Sequence, residues 1–252
     1  MNSRIPESLS TPMINSVLHA ADILGCYVSR QEEYLSLVEL CQLTGIPKTT
    51  VYRLVRTLQS VGWIEQSEIN GKYRLGTELL LLASAVSLHT TARHLILEEM
   101  RKLSAMYEEN IVLSSLRGNT GICLDVLESG HRFSAIPKRG HSVPLHSGAA
   151  GKALLAAQPS SEIERILAMF PEEFARKLGI QLKEIERVGY CISESEVDVG
   201  TTVIAVPLCM TDGNYSLSIL GPAEEMQQLG YDVLKEALQN AVDRIRQKER
   251  VI

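Results

Sequence analysis

Residues 35–76 read LSLVELCQLTGIPKTTVYRLVRTLQSVGWIEQSEINGKYRLG, and this stretch decides the fold of the first part of the chain. Two helical patterns are separated by a break at Thr44-Gly45-Ile46, and two strand-like segments, residues 63–66 and 72–75, follow them. Asn70-Gly71 between these segments is a strong hairpin signal, because both residue types tolerate positive φ. The order of helix, turn, helix and hairpin predicts a winged helix-turn-helix of about 75 residues.

The ends of the helices also have recognisable signals. Ser36 and Glu39 have the spacing of a capping box, which predicts where the first helix of the pair begins. Pro47 suits the first turn of the second helix, where its missing N–H is not needed. Upstream, apolar residues at helical spacing predict a further core helix, with Ile14, Val17, Leu18, Ala21, Leu24 and Val28 facing the core.

The second helix of the pair, residues 47–61, has two unlike faces. At about 100° per residue, the apolar arc comprises Val51, Leu54, Val55, Leu58 and Val61. The opposite arc is cationic or hydrogen-bonding, and residues 47–61 contain no acidic side chain. A solvated helix face usually mixes both signs, so this one-signed face favours insertion into the major groove of DNA over an ordinary surface role. The candidate DNA-binding residues are Lys48, Thr49, Thr50, Tyr52, Arg53 and Arg56, with Lys72 and Tyr73 from the hairpin, where Tyr73 could instead pack inside.

Charge is unevenly distributed along the 252 residues. The chain is 45% hydrophobic and 22% charged, which suits a soluble protein of one or two domains. Residues 1–76 hold seven basic and seven acidic side chains, so the remainder carries the whole formal net charge of -5. A neutral head with its cations on one helix suits a reader of specific DNA sites, and the acidic remainder should avoid DNA.

Several other classes of protein are disfavoured. No apolar run of about 18 residues predicts a membrane span, and residues 1–12 lack the apolar core of a signal peptide. The five cysteines are scattered without a CxxC pair, and the six histidines form no metal-binding pattern. We therefore expect a cytoplasmic protein with reduced thiols, no metal and no cofactor.

A leucine-rich helix is predicted to link the head to the rest. Residues 79–82 are four consecutive leucines, which cover more than one face of a helix. Such a helix, within a linker of residues 77–91, needs burial on two sides. A partner subunit is the favoured second side, and burial within one chain is the alternative.

The mixture of strand-like and helical segments in residues 92–252 predicts an α+β domain. Strands are expected at 111–116, 122–127, 132–136, 189–193, 202–207 and 215–221. Helices are expected at 92–107, 148–157, 161–169 (with Ser161 and Glu164 as a capping box), 182–188 and 223–250.

The most distinctive body segment is VPLHSGAAGKALLAA, residues 143–157. Small residues where a loop becomes a helix let the backbone approach a bound molecule, and the first amides of the helix favour an anion. A phosphate-binding P-loop is excluded because Ala153 follows Lys152 where Ser or Thr is required, and no GxSxG surrounds Ser147. Close packing of the helix on the sheet is the alternative reason for the small residues.

The order of these features is similar to that of the IclR family of bacterial transcriptional regulators over residues 12–250. The head resembles the family in LCQLTGIPKTTVYRLVRTLQSVGWIEQ and GKYRLG. The body resembles it in VPLHSGAAGKALLA, GYCISESEVDVGTTVIAVPL and SLSILGP. The resemblance implies a winged-helix domain (residues 1–76), a linker helix (77–91) and a GAF-like effector-binding domain (92–252), assembled as a homodimer or a dimer of dimers.

The resemblance also implies a pocket for a small organic acid or related metabolite. Its lining would be Ala135, Val143, Ala149, Ala150, Ser193, Val203 and Ser218. Many relatives have a second serine where this chain has Leu220, so a more apolar pocket is expected here. The implied function is a metabolite-responsive regulator, more often a repressor, of a catabolic operon. A transcriptional activator and an enzyme with a DNA-binding head are the alternatives, although the body shows no convergent catalytic constellation.

Overall fold

The computed structural model describes residues 13–30, 32–87, 91–130 and 137–250. The chain divides into two compact units, Met1–His89 and Thr90–Ile252. The leucine-rich helix belongs to the first of these. The predicted strand at residues 132–136, and with it Ala135, lies outside the described residues. Within the described part of the chain, no helix is both long and apolar enough to cross a membrane.

The first unit is the predicted winged helix-turn-helix. Its elements are α1 (Asn15–Arg30), α2 (Leu37–Thr44), α3 (Lys48–Ser60), β1 (Ile64–Gln66), β2 (Tyr73–Leu75) and α4 (Glu78–Ser87). The capping box is confirmed, because Ser36 Oγ accepts from the Glu39 N–H at 3.2 Å and the Glu39 carboxylate accepts from the Ser36 N–H at 2.7 Å. α2 ends at Gly45, whose φ of 69° is a left-handed conformation that glycine adopts without a Cβ clash.

The apolar arc of α3 forms the centre of the head core, where Val51, Val55 and Leu58 are buried. Val61 is exposed, contrary to the prediction, because α3 ends at Ser60 and Val61 is its C-cap.

The predicted core face of α1 is wrong for most of its residues, although Leu24 is half-buried and packs against the head core. The buried residues are Ile23, Cys26 and Tyr27, whereas Val17 is 63% exposed and Ile14, Ala21 and Val28 are also exposed. α1 has two apolar arcs at helical spacing, and only one of them faces α2 and α3. Periodicity alone could not distinguish the two arcs.

The second unit is an α+β domain around one antiparallel sheet, as predicted. Its helices are α5 (Thr91–Tyr107), α6 (Ala149–Ala156), α7 (Ser160–Leu167), α8 (Glu172–Val188), α9 (Ala223–Leu229) and α10 (Tyr231–Glu249). Its strands are β3 (Asn110–Arg117), β4 (Thr120–Leu127), β5 (Ser142–Val143), β6 (Cys191–Glu194), β7 (Thr201–Met210) and β8 (Gly213–Pro222). The strand order is β5-β4-β3-β8-β7-β6.

The two faces of this sheet have different partners. Ile111, Leu113, Ile204, Leu217 and Ile219 share one face and pack with α5 and α10. We call the other face, which carries Cys191, Val203 and Ala205 and packs with α6, the α6 face. Because side chains alternate along a strand, the register assigns each residue of the paired strands to one face.

Three local predictions for the body are corrected. The expected helix 223–250 is two helices, because Gly230 with φ 86° separates α9 from α10. Ser161 and Glu164 form no capping box, since α7 begins one residue earlier at Ser160, after Pro159. α8 begins at Glu172 rather than at residue 182, and the two-residue strand β5 had no sequence signal.

Candidate DNA-binding surface and effector pocket

The candidate DNA-binding surface is the exposed side of α3. Lys48, Thr49, Tyr52, Arg53 and Arg56 are exposed, and Thr50 is half-buried. Within the described part of the chain, the three cations of this set have no carboxylate partner. A helix face with unneutralised cations and hydrogen-bonding groups can contact phosphates and base edges.

The wing contributes fewer candidates than predicted. Tyr73 is only 7% exposed, belongs to the head core and exchanges backbone hydrogen bonds with Leu35, so its side chain is not on the exposed surface. Tyr73 pairs with Gln66 in the short hairpin. Its ring packs against the apolar residues of the head helices. Lys72 lies 3.5 Å from the Glu39 carboxylate, and Arg74 lies 2.8 Å from that of Glu65.

The start of α6 makes the main polar contact on the α6 face. The Ala149 N–H donates to Ser193 Oγ at 2.9 Å. Ser193 accepts in that bond, so its own O–H can donate to another group. The next N–H of the helix, that of Ala150, has no acceptor among the described residues. The Ser193 hydroxyl and the Ala150 N–H are therefore the available donors. Both lie at the N-terminal end of α6, where the helix dipole stabilises a carboxylate.

The glycines that flank these residues have different roles. Gly148 has φ 71°, and a Cβ there would lie 2.9 Å from Val197 in the loop after β6. A Cβ on Gly151 would overlap with the carbonyl oxygen of Pro144. Gly151 therefore serves close packing between α6 and the preceding segment, which is the alternative reading of the small residues at that position.

The structure brings most of the candidate effector residues to one face. Ser193 pairs with Val203, and Ser218 pairs with Ala205, so all of them lie on the α6 face. Ser218 Oγ donates to the Val112 carbonyl oxygen at 3.3 Å. Val203 and Ala150 are half-buried, while Ala149, Ser193 and Ser218 are buried.

Val143 occupies a different place in the sheet. It lies in β5, at the opposite edge from β6, and the chain then returns to the start of α6. The Val143 side chain is half-buried. The contact between Pro144 and Gly151 shows that the segment after Val143 runs close against α6.

Sequence reasoning missed one part of this region. The Lys152 side chain is 7% exposed, and its Nζ lies 2.8 Å from a Glu196 carboxylate oxygen in the loop between β6 and β7. The sequence offers Lys152 only as a P-loop lysine, a reading that Ala153 excludes. Its charge is neutralised by Glu196.

The thiols near the site are not reactive nucleophiles. Burial raises the pKa of Cys191 and that of Cys123 to about 11 each, so both remain protonated at neutral pH. The described residues contain no group of His, Cys, Asp and Glu side chains that could hold a metal ion.

Family models match both units. The model for the IclR helix-turn-helix domain matches residues 16–68, and that for the C-terminal domain of the bacterial transcriptional regulator IclR matches residues 84–247. The chain belongs to the IclR family. It is therefore an HTH-type, DNA-binding transcriptional regulator rather than an enzyme. The resemblance seen in the sequence is confirmed.

Individual relatives agree with this IclR assignment. The HTH-type transcriptional regulator XynR of Escherichia coli K12 is 27% identical over 78% of this chain and 81% of its own length. An IclR family regulator from Brucella abortus is 26% identical, with a TM-score of 0.78 over 96% of this chain and 95% of that one.

A third structure concerns a ligand complex. It is an IclR homologue from Microbacterium hydrocarbonoxydans in complex with 4-hydroxybenzoate, and it is 23% identical. Its TM-score is 0.79 over 94% of this chain and all of that one. At this identity the match shows a shared fold.

Proposed function

We propose that this IclR family member is a repressor of a catabolic operon that releases its operator when a small organic acid binds to the second unit. The observation that carries this proposal is the exposed face of α3, whose three cations have no carboxylate partner among the described residues. The acid would bind at the start of α6. The protein would bind its operator and its effector in the cytoplasm.

The operator contacts are assigned to one side of α3. Arg53 and Arg56 are one turn apart and project from the middle of the exposed face. Arginine is the usual bidentate partner of guanine in the major groove, so these two residues would read bases. Lys48 and Thr49 at the start of the helix, Thr50 and Tyr52 would contact phosphates or base edges, and Lys72 would contact phosphate from the wing.

The regulator would bind DNA as a homodimer or a dimer of dimers. Leu80, Leu81 and Leu82 of α4 are exposed, as are Ile14 and Val17 at the start of α1. A patch of exposed apolar side chains often marks a surface that binds another protein. Two heads joined in this way would read two half-sites, which increases both affinity and specificity.

The acid would be held by groups that the first turn of α6 leaves available. The Ala150 N–H and the Ser193 hydroxyl can both donate to a carboxylate. Val203 and Val143 would contact the apolar part of the ligand, and Ser218 would accept a further hydrogen bond. The 4-hydroxybenzoate complex of the Microbacterium homologue supports an acid of this kind as the ligand.

Ligand and operator would be coupled through two arrangements of the dimer. A ligand shifts such an equilibrium only by its differential affinity for the two states. We assign the operator-binding arrangement to the ligand-free protein. The α4 and α5 helices, which join the units, would transmit the change.

An operator-release assay tests this function. Operator fragments are selected from a random DNA library with the full-length protein, and binding is measured by fluorescence anisotropy with and without 4-hydroxybenzoate, benzoate and pyruvate. We expect at least one acid to weaken operator binding without changing the salt dependence. Acids that left the affinity unchanged would contradict effector sensing, and acids that strengthened binding would contradict release.

A further inference from the structure

The ion pair between α6 and the loop after β6 has one buried and one exposed member. Lys152 Nζ lies 2.8 and 3.1 Å from the two carboxylate oxygens of Glu196. The lysine side chain is 7% exposed and the glutamate side chain 36%. Residues 194–200, which include Glu196, are all exposed. The cation is therefore fixed inside the domain, whereas its partner is held by a surface loop.

The ammonium of Lys152 lies beside the groups proposed to bind the acid. Lys152 is one turn after Ala149, and a helical side chain extends toward the preceding turn, about 5.4 Å along the axis. Burial raises the pKa of the Cys191 thiol, while the Lys152 ammonium opposes this increase and the Glu196 carboxylate adds to it. Both charges therefore lie near Cys191, which is two residues before Ser193 on the same face of β6. A short acid at the start of α6 has this ammonium within reach.

The loop also covers the first residue of the helix. A Cβ on Gly148, the N-cap of α6, would lie 2.9 Å from Val197 Cγ2, so the valine side chain lies against the glycine. A ligand that approaches the first turn of α6 from this side meets Val197 and Glu196 before it reaches the Ala150 N–H.

The loop is held together by its own hydrogen bonds. The Ser195 N–H donates to the Thr201 carbonyl oxygen at 2.7 Å, and the Gly200 N–H donates to Ser195 Oγ at 3.0 Å. Neither bond involves α6. The Glu196 side chain can therefore leave Lys152 without loss of the loop's internal structure.

We propose that Glu196 is an internal substitute for the effector carboxylate, which occupies Lys152 in the ligand-free protein and is displaced when the acid binds. This inference rests on the proposed function, since it concerns the same site at the start of α6. The acid's carboxylate needs no pre-existing cavity at Lys152, because the departing Glu196 carboxylate vacates a space of its own size. Glu196 itself returns to water, which an already part-hydrated carboxylate does with little loss.

The exchange selects anions over neutral molecules. A buried ammonium that loses its carboxylate must gain another negative charge, because an unpaired charge in a protein interior is strongly unfavourable. A carboxylate ligand supplies that charge, whereas the corresponding amide does not. Competition from Glu196 therefore lowers the affinity for acids and excludes their neutral analogues, so affinity is reduced in favour of specificity.

Calorimetric titration of the full-length protein tests the displacement. Glu196→Gln removes the competing charge, and Lys152→Met removes the cation. Glu194→Gln is the matched control, because it neutralises an exposed glutamate of β6 that has no ion pair among the described residues. The probes are 4-hydroxybenzoate, benzoate and pyruvate, with benzamide as the uncharged analogue of benzoate.

Removal of the competitor should strengthen acid binding. We expect Glu196→Gln to bind at least one of the acids about three- to tenfold more tightly than wild type, since the binding-competent fraction rises. Lys152→Met should bind the same acid about tenfold more weakly, because a charge-assisted contact is lost. Glu194→Gln should bind like wild type, and benzamide should gain nothing from Glu196→Gln.

A purely structural ion pair predicts a different result. Loss of a structural contact lowers stability and leaves neighbouring ligand binding unchanged or weaker, whereas loss of a competitor lowers stability and strengthens binding. Melting temperatures without ligand, measured on the same samples, show whether each variant is folded. If Lys152→Met does not fold, the comparison of Glu196→Gln with Glu194→Gln decides alone.

The remaining outcomes separate this inference from the proposed function. If wild type binds an acid and Glu196→Gln binds it equally or less tightly, the displacement is wrong and acid sensing stands. A folded Lys152→Met protein with unchanged affinity, or an equal gain for benzamide, overturns the displacement in the same way. If Glu196→Gln binds an acid that wild type does not, both proposals are supported. If neither protein binds any probe, both are contradicted.

Discussion

The Lys152 ammonium lies 2.8 Å from a Glu196 carboxylate oxygen, and this ion pair joins α6 to the loop that follows β6. The lysine side chain is deeply buried, whereas the Glu196 side chain keeps about a third of its surface in water. A buried cation that loses its partner is costly. The pair therefore holds the loop over the start of α6 and keeps the Lys152 charge compensated.

Replacing Glu196 by Gln should destabilise the body domain. The amide leaves Lys152 with a neutral acceptor, and we expect the free energy of unfolding to fall by about 1 kcal/mol, since the site is partly hydrated. Urea unfolding at neutral pH measures this change. Glu194→Gln is the control, because Glu194 is exposed on β6 and has no ion pair among the described residues. Equal stability of the two variants would rule out a structural role for the pair.

Two glycines in helices should respond to alanine in opposite ways. A Cβ on Gly151 overlaps with the Pro144 carbonyl oxygen, so Gly151→Ala should lower the free energy of unfolding by about 1–3 kcal/mol. Gly179 lies within α8, and its nearest neighbour to a Cβ is Leu167 at 3.6 Å. Gly179→Ala should raise the free energy of unfolding by about 0.5–1 kcal/mol. Urea unfolding of both variants checks the contrast, and a stabilising Gly151→Ala would show that α6 does not pack as described.

The body domain should lose stability in acid through Glu98. Hydrogen bonds from Lys102 and Lys248 lower the pKa of Glu98 from 4.5 to about 2. Because its folded pKa is below the unfolded value, the stabilisation is complete above about pH 5 and is lost as the pH falls toward 2. Urea unfolding between pH 6 and pH 3 should show a flatter pH dependence for Glu98→Gln than for wild type.

The control for this pH effect is Glu186→Gln, which removes an exposed carboxylate of α8 without an ion pair in the described part of the chain. It should keep the wild-type slope. A Glu98→Gln profile parallel to that of wild type would show that this carboxylate is not the origin of the acid sensitivity.

Association through the exposed apolar residues of α1 and α4 predicts that a charge at either position dissociates the protein. Val17→Glu and Leu80→Glu place carboxylates on exposed apolar positions and should shift the sedimentation coefficient from that of a dimer or larger assembly toward that of a monomer. Ile69→Glu changes a single exposed apolar residue in the wing loop and should leave the assembly intact. Wild-type protein that sedimented as a monomer would remove the basis for this surface.

The head could be predicted closely from its sequence because its signals are local. The Ser36–Glu39 capping box and the Gly71 turn each depend on residues close together in the chain. The face of α1 could not be predicted, because Val17 and Ile23 are on different apolar arcs and only the tertiary fold chooses between them. Tyr73 was misassigned for the same reason, since an aromatic ring on a two-stranded hairpin can point to either side.

The contacts of the candidate effector region could be predicted only in part. Residues near the start of α6, such as Ser193, are candidates because their motif is contiguous or recurs in order, and their role in ligand binding stays a prediction. The contact between Lys152 and Glu196 and the register between Ser114 and Ser216 join residues that are 44 and about a hundred positions apart, so local pattern could not reveal them. Long-range pairing of this kind is decided by the sheet as a whole.

The operator affinity of the Arg53→Ala variant tests most directly whether the exposed face of α3 binds DNA. A selected, fluorescently labelled operator is titrated at fixed salt with wild type, Arg53→Ala and the control Arg176→Ala, whose arginine is exposed on α8. If α3 reads the operator, Arg53→Ala should weaken binding by about 1–3 kcal/mol, roughly 5- to 150-fold, and Arg176→Ala should bind like wild type. Unchanged affinity of a folded Arg53→Ala protein would contradict the assignment of this face of α3 to DNA.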